Sequence, residues 1–166
     1  RQVDTWRKLL NVELAAGQAK EATLHGQEAL IHFPDQAILF YFTGVAFFIN
    51  QDTTEARQFL EAALDRSENE NDFVKSMTYG SLGDLYPELG MQSVSDAAYQ
   101  EAIALDSTNV TALNNLAYYW SLEKKNLDQA AAYAKRAVEL EPESNTFMDT
   151  YAWVLFQQGN YAEAKS

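Results

Sequence analysis

His25 and His32 are the only histidines of the chain. Seven residues apart on one helix, they share a face but stand two turns apart. That is too far to hold one metal ion as neighbouring ligands, and no His-Glu-x-x-His spacing exists. Both read as solvated or partly buried side chains. The acid-rich stretch Asp65 to Asp72 could be mistaken for a calcium loop, but it lacks the central glycine and closing glutamate of that motif. It reads instead as a solvated turn capping a helix that starts at Phe73. The absence of cysteine removes disulfides, thiolate metal sites and cysteine nucleophiles. Neither a Gly-x-Ser-x-Gly elbow nor a glycine-rich phosphate loop is present, and no local Ser–His–Asp grouping occurs. Carboxylate pairs are expected by chance on so acidic a chain, and Glu61 with Arg57 and Asp65 at helical spacing is ordinary surface charge. The expectation is a non-catalytic protein with no metal and no cofactor.

The 24 acids against 12 bases give a net charge of −12. Such a surface repels phosphate backbones, anionic membranes and acidic peptides, so nucleic acid is a poor partner. A hydrophobic fraction of 47% and an aromatic fraction of 13% are enough for a real core. No apolar run reaches the ~18 residues of a membrane span. The longest, Ala37 to Ile49, is interrupted by Thr43 and Gly44. The chain begins at Arg1 without a signal peptide and stops at Ser166 partway through a repeat, as expected of a piece of a longer protein. A targeting signal would then lie elsewhere, leaving the home cytoplasmic or, if the parent chain carries an export signal, periplasmic.

The elements that must position any site are helices. Ala, Leu, Glu and Gln dominate, and no period-two alternation competes. Helical runs are predicted over 38–49 (capped by Asp35), 55–64 (capped by Asp52 and Thr53) and 73–89 (ended by Gly90). Further runs follow over 94–105, 110–122, 127–140 and 146–158, with a truncated partner over 161–166. With a first pair over about 3–36, these make about nine helices plus a fragment, in antiparallel pairs. Pro87 falls inside a predicted helix and should kink or break it.

The helices repeat. Leu113-x2-Leu116-Ala117-x2-Trp120, then Ala130, Ala137 and Pro142, is echoed by Met148-x2-Tyr151-Ala152-x2-Leu155, then Ala164. The shift is 35 residues from Leu113 to Met148 and 34 from Ala130 to Ala164. Earlier copies read Tyr79-x2-Leu82-Gly83-x2-Tyr86 with Ser95, Tyr99 and Ala102, and Phe40-x2-Thr43-Gly44-x2-Phe47 with Ala56, Leu60 and Ala63. The first and most degenerate copy reads Trp6-x2-Leu9, then Ala22, Ala29 and Pro34, with Leu10, Glu13 and Gly26 where glycine and two aromatics are usual. Small residues (Gly44, Gly83, Ala117, Ala152) should sit where two helices of a pair cross. Larger ones (Trp6, Phe40, Tyr79, Leu113, Met148) should fill the gap to the next pair. A fixed period of this size means stacked units that bury a continuous core.

This pattern resembles the tetratricopeptide repeat over nearly the whole chain, and its short Asp/Asn turns resemble bacterial members. The resemblance implies an all-α, right-handed α-α superhelix of about five helix pairs, forming one solenoid over 1–166. The units are expected at about 3–36, 37–72, 73–109, 110–144 and 145–166, the last truncated. It also implies that the first helix of each pair lines a concave groove that holds a peptide or a partner's segment. The groove positions left after the repeat signature is removed include Tyr41, Val45, Phe48, Asp84, Asn114, Asn115, Tyr118, Trp153 and Phe156, and these are the candidate partner-binding residues. The helix over 38–49 is apolar on nearly every face, so it is covered or it marks an interface. A groove that grips a partner's C-terminal carboxylate would need Lys and Asn at set positions. Arg7 and Asn11 fit it, but Phe42, Met77 and Ser81 do not, and that version is rejected. The expected function is a protein–protein interaction scaffold. The alternative is a self-assembly module, either a homo-oligomer or an array packed against neighbouring repeats.

Overall fold

A computed structural model of the chain describes residues 2–67 and 72–165. Nine α-helices run α1 (Gln2–Ala15), α2 (Ala19–His32), α3 (Ala37–Ile49), α4 (Thr53–Asp65), α5 (Asp72–Leu85), α6 (Gln92–Leu105), α7 (Val110–Leu122), α8 (Leu127–Leu140) and α9 (Asn145–Gln158). Two 3₁₀ turns, Tyr86–Leu89 and Glu163–Lys165, complete the secondary structure, and no strand occurs among the described residues. Of the acidic turn expected over 65–72, residues 68–71 lie outside the described residues, as does Ser166.

The helices form two rows. α1, α3, α5, α7 and α9 each touch the next member of their own row, whereas α2, α4, α6 and α8 pack mainly on the first row. The chain is a right-handed solenoid, and because only the first row's members touch one another, α1, α3, α5, α7 and α9 lie on the inside of its curve. Its core is a chain of three buried clusters. Leu10, Ala22, Ala29, Leu39 and Ala46 lie at one end, Phe47, Leu60, Leu82 and Tyr86 in the middle, and Tyr99, Leu116, Trp120, Ala134 and Val154 at the other.

Small residues sit at the crossings because nothing larger fits. A Cβ on Gly44 would lie 2.8 Å from Leu60 Cγ, and one on Gly83 would lie 2.6 Å from the Tyr99 ring. In the degenerate first copy, a Cβ on Gly26 would meet the Thr43 hydroxyl at 2.3 Å, so glycine replaces the usual aromatic where α2 meets α3. One backbone device recurs at every turn inside a pair. Gly17, Gln51, Gly90, Lys124 and Gly159, each at the same position of its copy, all have positive φ, between 54° and 83°. At Gln51 and Lys124 a residue with a Cβ occupies a conformation that favours glycine.

Several helix starts differ from the sequence expectation. Asp35 does not cap α3. The cap position falls to Gln36, which makes no side-chain bond. Asp52 does hold the cap position of α4 but bonds no backbone amide through its side chain, leaving only its charge near the helix N-terminus. Side-chain caps occur instead at Asn109, which accepts from Ala112 N at 3.0 Å, and Ser144, which accepts from Phe147 N at 3.4 Å.

Pro87 breaks its helix as expected: α5 ends at Leu85 and a 3₁₀ turn carries Pro87 to Gly90. Lacking an N–H, Pro87 cannot donate to the carbonyl four residues back, that of Gly83. The hydroxyl of Ser95 donates to that carbonyl instead, at 2.7 Å, fully buried. Ser95 thus replaces the usual alanine for a local reason.

Candidate functional site: the concave groove

The inner row presents three stretches of different chemistry. Near the N-terminus, Arg7 and Asn11 of α1, Ile38 and Phe42 of α3, and Phe73, Val74 and Met77 of α5 line a recess of about 410 Å³. Phe42 and Met77, which argued against a carboxylate-gripping groove, therefore do meet Arg7 and Asn11, but in a largely apolar recess that does not include Ser81.

The middle stretch is a polar network on an apolar floor. Tyr41, Val45 and Phe48 are half-buried and pack against the central core cluster. Asp84 accepts from the Tyr99 hydroxyl at 2.5 Å and from Asn115 Nδ2 at 2.8 Å. Burial pushes the Asp84 carboxyl above the usual carboxylate range, against the pull of those two donors. The same burial raises the Tyr41 phenol despite its hydrogen bond with Ser81, and the charge of Asp84 raises it further. Tyr99 and Tyr119 are likewise raised, first by burial and then by Asp84. These phenols therefore remain neutral hydroxyls. Asn114 is only 5% exposed, and its amide donates to Asn115 Oδ1 at 3.2 Å. It backs the groove wall, while Asn115 stands in front of it.

The C-terminal stretch is the open one. Tyr118, Trp153 and Phe156 are 43%, 39% and 51% exposed. Trp153 stacks on Phe156 with ring centres 5.8 Å apart, and Tyr161 meets Phe156 edge-on at 5.3 Å. Tyr118, Leu122, Thr146, Asp149, Thr150 and Trp153 bound a recess of about 420 Å³. Asp149 and Trp153 also belong to the wall of a second, more apolar recess of about 690 Å³ with Ala152, Phe156, Tyr161 and Ala164.

The structure thus brings Tyr118 to Trp153, Trp153 to Phe156, and Asp84 to Asn115. Phe48 and Val45 belong instead to the middle stretch, half-buried against the central core cluster. Two contributors escaped the sequence reading. Tyr99 occupies a signature position on an outer helix, so nothing marked it as the residue that reaches through to hold Asp84. Asp149 was visible as an inward position, but its place between two recesses depends on Trp153, whose orientation no spacing reveals.

No group of three or more His, Cys, Asp or Glu side chains that could hold a metal ion occurs among the described residues. No helix among them is long and apolar enough to cross a membrane. His25 Nδ1 lies 2.6 Å from Glu13 Oε1 and so belongs to the packing of α2 on α1, away from His32.

The family model described as the tetratricopeptide repeat matches residues 7–71 and 121–164. The chain belongs to the tetratricopeptide repeat family. The TPR repeat-containing protein PA4667 of Pseudomonas aeruginosa is 27% identical to it over 158 residues. That match takes in 93% of this chain but only 26% of the relative, so the chain spans about a quarter of that protein's length. Solved tetratricopeptide arrays share the fold. PilF of Pseudomonas aeruginosa superposes with a TM-score of 0.80 at 21% identity, covering 98% of this chain and 71% of that one. MamA of Desulfovibrio magneticus RS-1 gives 0.73 at 17% identity over 98% and 88%. YrrB, described as a TPR protein with an unusual peptide-binding site, gives 0.67 at 19% identity over 96% and 79%.

Proposed function

We propose that this tetratricopeptide array is a non-catalytic scaffold whose concave groove holds an extended segment of a partner protein. The observation that carries this reading is the run of open aromatic side chains, Tyr118, Trp153 and Phe156, around recesses on the inner row. Large aromatics in partly desolvated recesses are where binding energy concentrates in interfaces. The middle stretch adds amide groups that can pair with a peptide backbone. The likeness to YrrB, described as a TPR protein with an unusual peptide-binding site, supports this reading.

The test is a selection of displayed twelve-residue peptides, followed by titration calorimetry of the selected sequence. Tyr118→Ala with Phe156→Ala should weaken binding at least tenfold while leaving the helical circular dichroism unchanged. These two are preferable to Phe48, whose loss would hollow the floor. An unchanged dissociation constant, or no enrichment at all, would remove the groove reading.

One observation favours an additional end-on contact. Thr5, Leu9 and Val12 of α1 occupy the positions of Leu39, Thr43 and Ala46 in α3 and of Thr78, Leu82 and Leu85 in α5. All six of those inner residues are buried against the preceding helix pair, whereas Val12 is 62% exposed. The α1 face is therefore shaped to accept one more helix, from a neighbouring repeat or a second copy. Light scattering over a range of concentrations decides the latter. Self-assembly through this face requires mass to rise with concentration and Val12→Glu to abolish the rise.

A further inference from the structure

The C-terminal part of the groove has an uncompensated charge. Away from Arg7 and Lys8 of α1, helices α3, α7 and α9 contain no lysine or arginine, and α5 contains only Lys75. The inner row nonetheless carries Asp84, Glu88 and Asp149. Asp84 is already engaged by Tyr99 and Asn115. Asp149 is exposed and takes part in no hydrogen bond or ion pair among the described residues. It stands in the wall of the 420 Å³ recess, which it shares with Tyr118, Trp153, Thr146 and Thr150.

Two aromatic rings with a free carboxylate form a setting suited to a cation. The ring faces attract a positive charge through their quadrupoles, and the carboxylate pairs with it directly. Arginine fits best, because its planar guanidinium can stack on a ring while its N–H groups point at the carboxylate. The volume suits one long side chain rather than a folded ligand.

We propose that the recess between α7 and α9 is a subsite for the guanidinium of an arginine side chain in the bound partner segment, held by Asp149 between Tyr118 and Trp153. The adjoining apolar recess beyond Trp153 then receives a neighbouring apolar side chain of the same segment. The partner is therefore a basic-apolar peptide, opposite in sign to the scaffold. This inference rests on the groove reading above.

The experiment uses three fluorescein-labelled nonapeptide pools with Arg, Gln or Glu fixed at the centre and Leu, Ala, Ser and Gln mixed elsewhere. Anisotropy titrations against the chain should show the Arg pool binding about tenfold tighter than the Gln pool, and the Glu pool weakest. Asp149→Asn should bring Arg and Gln within twofold of each other. Glu101→Gln, on the exposed face of the outer helix α6, removes the same charge elsewhere and should leave the tenfold preference intact. If Asp149→Asn keeps the preference, or Glu101→Gln loses it equally, the attraction belongs to the net charge of −12 and the subsite is refuted. If the Arg and Gln pools bind alike and Tyr118→Ala weakens both, the groove stands and the cation subsite falls. If no pool binds, both fall.

Discussion

The exchange of hydrogen bonds around Pro87 gives the sharpest test of how this sequence encodes its fold. The Gly83 carbonyl loses its helical donor to Pro87 and recovers one from Ser95 at 2.7 Å. Ser95 is fully buried, so no water can substitute if its hydroxyl is removed. Ser95→Ala should therefore cost the desolvation of an orphaned carbonyl, about 1–3 kcal/mol, rather than the net value of a solvent-exchangeable bond. Alanine is also the residue that other copies of the repeat carry there (Ala22, Ala56, Ala130), so packing does not oppose the change. Pro87→Ala restores an N–H that can reach Gly83. In that background Ser95→Ala should cost no more than about 0.5 kcal/mol, leaving a coupling of at least about 0.5 kcal/mol between two residues eight apart in sequence. The assay is urea unfolding followed by circular dichroism for the four proteins of the cycle, with m-values compared so that a change of unfolding mechanism is caught. Equal costs of Ser95→Ala in both backgrounds would refute the reasoning and show that Ser95 acts through its own packing.

Gln51→Gly should stabilise the chain by about 0.5–1 kcal/mol, since Gln51 sits at φ 67° with its side chain exposed; a lower urea midpoint would show that the side chain outweighs the backbone relief. The buried carboxyl of Asp84 binds its proton more readily in the folded than in the unfolded chain, because burial raises it. Its contribution to stability therefore falls as pH rises through the folded value and is recovered as pH drops back toward the ordinary carboxylate range. Asp84→Asn, which keeps an acceptor for Tyr99 and Asn115, should gain in urea midpoint over the parent chain at pH 7. The gap should narrow toward pH 4, and a gap that widens on acidification would reverse the sign of the argument.

The architecture was legible because its causes are local and repeated. Gly44, Gly83 and Ala117 mark crossings that admit no larger residue, and copies in register leave little freedom for any other stacking. Pro87 announced its own break, but that Ser95 answers it could be seen only once α5 and α6 were placed together. Asp35 was a reasonable cap by residue type. The chain instead enters α3 one residue later, after Pro34, and Gln36 takes the position without a side-chain bond. The groove was legible as a row of inward positions but not as chemistry. Side-chain burial separates Asn114 from Asn115, and the reach of Tyr99 separates the occupied carboxylate of Asp84 from the free one of Asp149. Neither distinction leaves a trace in spacing.

The unequal contacts of the two helix rows have a consequence for how such a chain can change over time. An outer helix such as α6 or α8 leans on the inner row and hardly touches its own kind, so its solvent face can drift, acquire tags or take on new charge without disturbing the units beside it. An inner helix answers to neighbours on both sides. Innovation on the convex surface is therefore cheap and local, whereas each alteration of the concave wall must be negotiated along the stack.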